Sequence, residues 1–242
     1  MSSKIFYLFL FLSTFILNPA YSQSYESRLV KADSLFSAQQ YTHALTLYQD
    51  ILENSDHFSL QMLLKMALVK EALGDYTSAL YYLNLYYKYN PNKMVLKKME
   101  ELAGKYKLTG YRYTDLEYFI SLYNQYYYYI VFFFLAFALS YYVYLVVKKV
   151  RNRRLGLRPL LFIIILGSAF YLANFEIIPP KGIISKSNTY LMSSASAASE
   201  PLALIDKGHR VMILDKQDIW YRILWEDQTA YILESNLVVI GE

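Results

Sequence analysis

YNQYYYYIVFFFLAFALSYYVYLVVKKVRNRR, residues 123–154, carries no charge before Lys148 and then five basic residues in quick succession. An amphipathic helix of a small soluble domain shows a polar face, and none is visible here. The uncharged run reaches back to Tyr118. About twenty residues of α-helix cross the ~30 Å hydrocarbon layer of a bilayer, so the stretch predicts a membrane span over residues 126–147. A second apolar run, PLLFIIILGSAFYLANF (159–175), starts at a basic flank and ends before Glu176. It is short for a span, which snorkelling ends or a thinner bilayer accommodate, and a second crossing over residues 159–176 is expected.

Between the two runs, residues 148–158 hold Lys148, Lys149, Arg151, Arg153, Arg154 and Arg158 and no acid, while the outer flanks mix signs through Arg112, Asp115, Glu117, Glu176 and Lys181. The positive-inside rule places such a loop in the cytoplasm, so both long tails are expected outside. Anionic lipid or a cytoplasmic partner is the functional alternative for the same basic residues. Tyr123 and Tyr126–Tyr129 suit an interfacial belt. Tyr141, Tyr142 and Tyr144 lie deeper, and Gly167, Ser168 and Ala169 are small enough to let a neighbouring helix approach. A packed hairpin is expected, and with no acid or base inside it there is no proton relay or ion path.

Composition agrees with a chain lying partly outside water. Its 242 residues are 55% hydrophobic, with 27 Tyr and 14 Phe, and the mean hydropathy is +0.17. The net charge of +4 is concentrated around Lys148–Arg158, which argues against a nucleic-acid partner. The absence of Cys removes disulfides, thiolate nucleophiles and a lipid-modified Cys after a leader. The N-terminus, MSSKIFYLFLFLSTFILNPAYSQS, has one Lys, an apolar run Ile5–Leu17, a break at Pro19 and small residues before Gln23. That order predicts a secretory signal peptide over residues 1–22, with an uncleaved anchor as the alternative.

The tail before the first span repeats itself. KADSLFSAQQYTHALTLYQDIL and KMALVKEALGDYTSALYYLNLYYKYNP superpose with Ala32 on Ala67, Tyr41 on Tyr76 and Ala44 on Ala79, an offset of 35 residues. Each unit reads as a helical hairpin with small residues at the helix crossing, and Pro91 ends the second. The pattern resembles the tetratricopeptide repeat family, strongly in GDYTSALYYLNLYYKYNP and less so in the first copy, which lacks the turn Gly and has Asp56 where the terminal Pro belongs. A repeat domain over residues 23–109 is expected, with KMVLKKMEELAGKYK as a capping helix. The resemblance implies a concave partner-binding face carrying Leu29, Asp33 and Phe36 in the first repeat and Leu64, Leu68 and Glu71 in the second. Core packing is the competing reading for the three leucines.

After Pro179-Pro180 the pattern turns to short alternating runs separated by turn residues, which predicts a small, strongly bent β-barrel over residues 181–242. KGHRVMILDKQDIWYRILWEDQTAYILESNLVVI resembles the bacterial SH3 family, with Gly208, Val211, Trp220, Tyr221, Ile223, Tyr231 and Leu237 in matching order. It departs from that family at the Gly-less hairpin after Asp227, at Ala230, and at LMSSAS, which lacks the expected Arg and Pro. The resemblance implies a ligand surface at Trp220, Trp225 and Tyr231, for which packing is again the alternative. Family members often bind cell-wall peptides.

His43, His57 and His209 have no partner ligand at metal spacing, no serine triad is readable, and no phosphate loop appears. No catalytic residue, metal or cofactor is expected, and the chain reads as a non-enzyme. The fold class is a multidomain membrane protein: α-helical hairpin repeats, a two-helix transmembrane hairpin and a small all-β SH3-like barrel. In that order the parts resemble the BatE-like exported repeat proteins of the Bacteroides aerotolerance group. The resemblance implies a scaffold or adaptor in the cytoplasmic (inner) membrane, both soluble parts on the periplasmic side, with other envelope membrane proteins and the lipid bilayer as partners and peptidoglycan as a further candidate. A wall-binding sensor signalling through the hairpin is the alternative function. Repeats and barrel are expected to bury their own surfaces independently, with the spans between them.

Overall fold

The computed structural model describes residues 19–55, 57–112, 115–151, 156, 158–174 and 179–241. The leader up to Asn18, Asp56, part of the basic loop (152–155 and 157) and the end of the second apolar run (175–178) lie outside them. The described helices are α1 (Pro19–Ser37), α2 (Tyr41–Asn54), α3 (Leu60–Ala72), α4 (Tyr76–Tyr89), α5 (Lys93–Lys105), α6 (Asp115–Val150) and α7 (Arg158–Asn174). The strands are β1 (Lys181–Ile184), β2 (Thr189–Met192), β3 (Pro201–Ile205), β4 (Arg210–Gln217), β5 (Trp220–Trp225), β6 (Gln228–Leu233) and β7 (Leu237–Val239). The chain divides into two compact units, one ending at Leu73 and the other beginning at Gly74.

In the first unit α1 packs on α2 and α2 on α3. Ala32 and Ala44 are fully buried, as are Tyr48, Ile51, Leu63 and Met66. The turn closing α1 places Gln39 at φ +61°, and the turn closing α3 places Gly74 at φ +76°. These positions are 35 residues apart, so the sequence repeat has a matching backbone repeat. A left-handed residue after a helix is normally Gly, because a Cβ there costs roughly 1–2 kcal/mol. The first turn is therefore a strained copy of the second. Capping differs in the same direction: Asp75 accepts from the Ser78 N–H at 3.2 Å, whereas Gln40 makes no side-chain cap for α2.

In the second unit, α5 is amphipathic, burying Val95, Leu96, Met99, Leu102 and Ala103. It packs against α4, and Asn92 caps it by accepting from the Met94 N–H at 2.8 Å. Helix α6 runs for 36 residues without a break. Its first turns lie on α4, where Tyr87 and Ser121 share a 2.7 Å hydroxyl hydrogen bond. From Glu117 to Val150 it is long and apolar enough to cross a membrane, with a mean hydropathy of 2.4 over its most apolar window. Helix α7, with 17 residues, is shorter than a full span. The two pack side by side, burying Ala138, Leu145 and Ala169. Of the small residues expected at this contact Ala169 is used, but a Cβ on Gly167 would meet nothing within 4 Å.

The seven strands form one antiparallel sheet in the order β3-β2-β6-β5-β4-β1-β7. Its core contains Ile184, Leu191, Val211, Tyr221, Ile223, Ala230, Ile232 and Leu237. The β5–β6 hairpin closes through Glu226 and Asp227, both in the left-handed region at φ +47° and +63°. This is the primed geometry that matches strand twist, achieved without the Gly whose loss the sequence shows. The edge strand β3 is blunted by Pro201 and by a register shift opposite Leu191 and Met192, devices that discourage edge pairing.

Candidate functional site

In the first unit the residues expected on a concave face are partly committed to one another. Asp33 on α1 accepts hydrogen bonds from the Tyr48 hydroxyl at 2.5 Å and from Lys65 Nζ at 2.7 Å. Lys65 also sits over the Phe36 ring, 5.4 Å from its centroid. Burial would raise the Asp33 pKa, but the Lys65 and Tyr48 hydrogen bonds and the Lys65 charge outweigh it and hold the carboxyl below its ordinary value. Burial, then the same hydrogen bond, pushes the Tyr48 phenol up. Leu29, Leu64 and Glu71 are half-buried, while Leu68 is 57% exposed, the one leucine of the three presented to solvent. Sequence reasoning missed Lys65, whose signal was its place one residue after Leu64 on the same helix.

The second unit holds a joint that sequence reasoning did not anticipate. The segment after α5 bends through Lys107 (φ +55°) and Gly110 (φ +87°) and lies against the turn leading into β4. The Arg210 N–H donates to the Thr109 carbonyl at 3.1 Å. Arg210 Nε donates to the Gly110 carbonyl at 2.7 Å, and Nη1 donates to Asn84 Oδ1 on α4 at 2.9 Å. Asn84 in turn donates its Nδ2 to the Leu80 carbonyl at 2.7 Å, which fixes the amide so that Oδ1 faces the guanidinium. Tyr111 lies under that guanidinium at 5.0 Å and donates its hydroxyl to the Gly208 carbonyl at 2.8 Å. Arg210 is only 6% exposed and Asn84 4%, so both need these partners.

The fit allows no extra atoms. A Cβ on Gly110 would stand 2.0 Å from the Arg210 carbonyl oxygen, and one on Gly208 (φ +99°) would stand 2.9 Å from the Tyr76 ring. The Thr109 N–H donates to His209 Nδ1 at 3.1 Å, so that nitrogen must be unprotonated. Burial lowers the His209 pKa, against an opposing pull from Asp206. Further out, Lys88 Nζ donates to the Gly241 carbonyl at 2.7 Å, and Lys181 on β1 pairs with Glu117 on α6 at 3.1 Å. Burial and then the Arg210 charge lower the Lys181 pKa, opposed by Glu117. The expected independence of helical layer and barrel therefore does not hold. Contacts between residues 100 and 126 positions apart, at Gly110 and Asn84, tie them together.

A half-open cleft of about 360 Å³ lies beside this joint, between the first turns of α4 and the barrel. Thr77, Ser78 and Tyr81 face Ile183, Lys207 and Val238 across it. The Thr77 hydroxyl is buried without a hydrogen-bond partner among the described residues. No group of three or more His, Asp or Glu residues is placed to hold a metal ion among the described residues.

The barrel also carries a family signature: residues 187–238 match the family described as Bacterial SH3 domain. This segment is a bacterial SH3 domain. No curated protein matches the chain. The match runs from the β1–β2 connection into β7, so the SH3 domain takes in Arg210 and His209 of the joint as well as the three expected ligand residues. Those three do not form one surface. Trp225 lies on the core side of β5 with Tyr221 and Ile223 and meets His209 edge-on, ring centroids 5.4 Å apart. Trp220 is an odd number of residues away and so on the other side of the strand, where it is 7% exposed. Half-buried Tyr231 pairs with Arg222 across β5–β6, on the side of Trp220.

Proposed function

We propose that the chain is a membrane-anchored envelope scaffold, with helical repeats and an SH3 domain as its two interaction elements and no catalytic role. The observation that carries this reading is the Arg210 joint, which binds α4, the Thr109–Tyr111 segment and the SH3 domain into one connected block. A rigidly mounted SH3 domain is what a scaffold requires. The apolar α6, the basic residues after it and the resemblance to BatE-like proteins support anchoring in the cytoplasmic membrane as a two-helix hairpin, with both soluble parts outside. Bacterial SH3 domains bind peptidoglycan or protein, so the wall is the second candidate partner. Crosslinking in intact envelopes followed by capture of the full-length chain tests the scaffold reading. Recovery of a membrane protein that is lost in a Leu68→Glu variant supports it. Recovery of the same proteins from the variant and the parent, or of none from either, counts against it.

A wall-sensing role is the second reading, favoured by the unbroken course of α6 from its contact with α4 to Val150. Sedimentation of the detergent-solubilised chain with purified wall sacculi separates the two readings.

A further inference from the structure

The cleft beside the joint has the size and the wall chemistry of a small-ligand site. Its volume of about 360 Å³ falls at the lower end of the range for such pockets. Part of the lining is apolar, from Ile183, Val238 and the Tyr81 ring. The rest of the lining holds hydrogen-bonding groups of opposite character. Lys207 brings an ammonium, 5.7 Å from the Tyr76 ring centroid, that forms no ion pair among the described residues. Asp75 also lines the cleft and is oriented by accepting from the Ser78 N–H. The Thr77 hydroxyl is the further sign, because a buried hydroxyl without a partner costs roughly 1–3 kcal/mol of desolvation, which a ligand oxygen would relieve.

We propose that this cleft binds the carboxylate end of a short apolar peptide. The carboxylate is received by Lys207 and the Thr77 hydroxyl, the aliphatic side chains lie on Ile183 and Val238, and an amide N–H is directed toward Asp75. Sign decides the orientation. A ligand ammonium against Lys207 would meet a like charge, and a carboxylate against Asp75 would do the same. The ligand touches α4 on one side and the SH3 domain on the other, so occupancy also strengthens the joint. This goes beyond the scaffold reading, whose envelope capture experiment is independent of it. Protein C-termini and wall peptides both offer the required chemistry, and their stereochemistry distinguishes them.

The test uses the full-length chain in detergent micelles with ¹³C-methyl threonine labelling, titrated with N-acetyl-L-alanyl-L-alanine, its D,D counterpart and the corresponding L,L amide. A saturable shift of the Thr77 methyl is expected for one of the two acids and at least tenfold weaker binding for the amide. Lys207→Gln should weaken the acid at least tenfold. Thr77→Val adds a second, opposed signature: it should raise the melting temperature of the free protein by removing the unpartnered hydroxyl, and weaken acid binding at least fivefold. Preference for the L,L acid indicates a protein C-terminus, and preference for the D,D acid indicates a wall peptide. Absence of a saturable shift up to 10 mM of either acid, equal binding of acid and amide, or unchanged binding in Lys207→Gln overturns the proposal.

Discussion

The Asp33 cluster and the Arg210 cluster are both polar, and each joins three segments of chain. They are otherwise unlike. Asp33 and Lys65 form an ion pair whose side chains keep 42% and 26% of their exposure, so water already solvates much of what the pair would lose on breaking. Arg210 is 6% exposed and is held by a main-chain carbonyl and an amide oxygen that cannot move far. A half-exposed pair can open to meet a partner at small expense. A buried guanidinium on fixed acceptors cannot, because each acceptor left behind in the interior is stranded.

The largest effect is therefore expected at Arg210. Arg210→Met removes the donor to Asn84 Oδ1 and to the Gly110 carbonyl, and two buried hydrogen bonds lost at roughly 1–3 kcal/mol each suggest a loss of about 2–6 kcal/mol. Limited proteolysis of the full-length chain should then cut within residues 106–112 while the barrel itself stays resistant. Continued protection of that segment would erase the contrast between the two clusters.

Gly110→Ala attacks the same joint through the backbone. The left-handed φ costs roughly 1–2 kcal/mol for a residue with a Cβ, and the contact with the Arg210 carbonyl forces a further displacement, so about 2–4 kcal/mol is expected. Gly74→Ala is the matched control. Its φ is +76° but a Cβ there meets nothing within 4 Å, so only about 1 kcal/mol should be lost. Urea denaturation in micelles measures both, and equal losses would mean that the joint adds nothing to the conformational term.

Acid should weaken the two clusters in different windows. The docked His209 has a lowered pKa and so holds fewer protons than the undocked residue. Its contribution is fully present above the ordinary value of 6.5 and declines as pH falls below it. Asp33 also has a lowered pKa, but its contribution persists until pH falls below the ordinary 3.8. Amide exchange followed from pH 7.5 downward should show residues 108–111 losing protection before the first unit does, and His209→Asn, which keeps an acceptor, should remove the earlier step. Smallest of all should be Asp33→Asn, within about 1 kcal/mol by thermal denaturation, because the pair is part-exposed and Asn keeps an acceptor for Tyr48.

Legibility divides along the same line. The helices of the first tail are readable because their signals are local, and the offset that aligns Ala44 with Ala79 also aligns the left-handed Gln39 with Gly74. The barrel was readable from alternation, even where Glu226-Asp227 replaces a Gly-containing turn. The separation of Trp225 from Tyr231 was not drawn from the sequence, although part of it was available there. Trp220 and Trp225 are five residues apart on one strand, and an odd spacing puts them on opposite sides. The joint was not legible. Arg210 sits next to an apolar strand and looks like a turn residue, and nothing within a hundred positions indicates that Gly110 and Asn84 will receive it. Asp33 reads as a partner-binding candidate for the same reason, since Tyr48 and Lys65 approach it only once three helices have packed.

Helix α6 carries a geometric consequence. At 1.5 Å per residue its 36 residues extend about 54 Å, and about 20 of them satisfy a ~30 Å hydrocarbon layer. In the proposed anchor, with Lys148 and Lys149 at the cytoplasmic boundary, Asp115–Val147 extends about 50 Å and leaves about 20 Å of rigid rod clear of the lipid on the side of the joint. The joint is seated on the upper part of that rod, so its height is set by a length of helix and not by the slack of a tether. Inserting one residue in the rod above Tyr126 would raise the platform by only about 1.5 Å while rotating it about 100°, changing what the binding surfaces face far more than how far they reach.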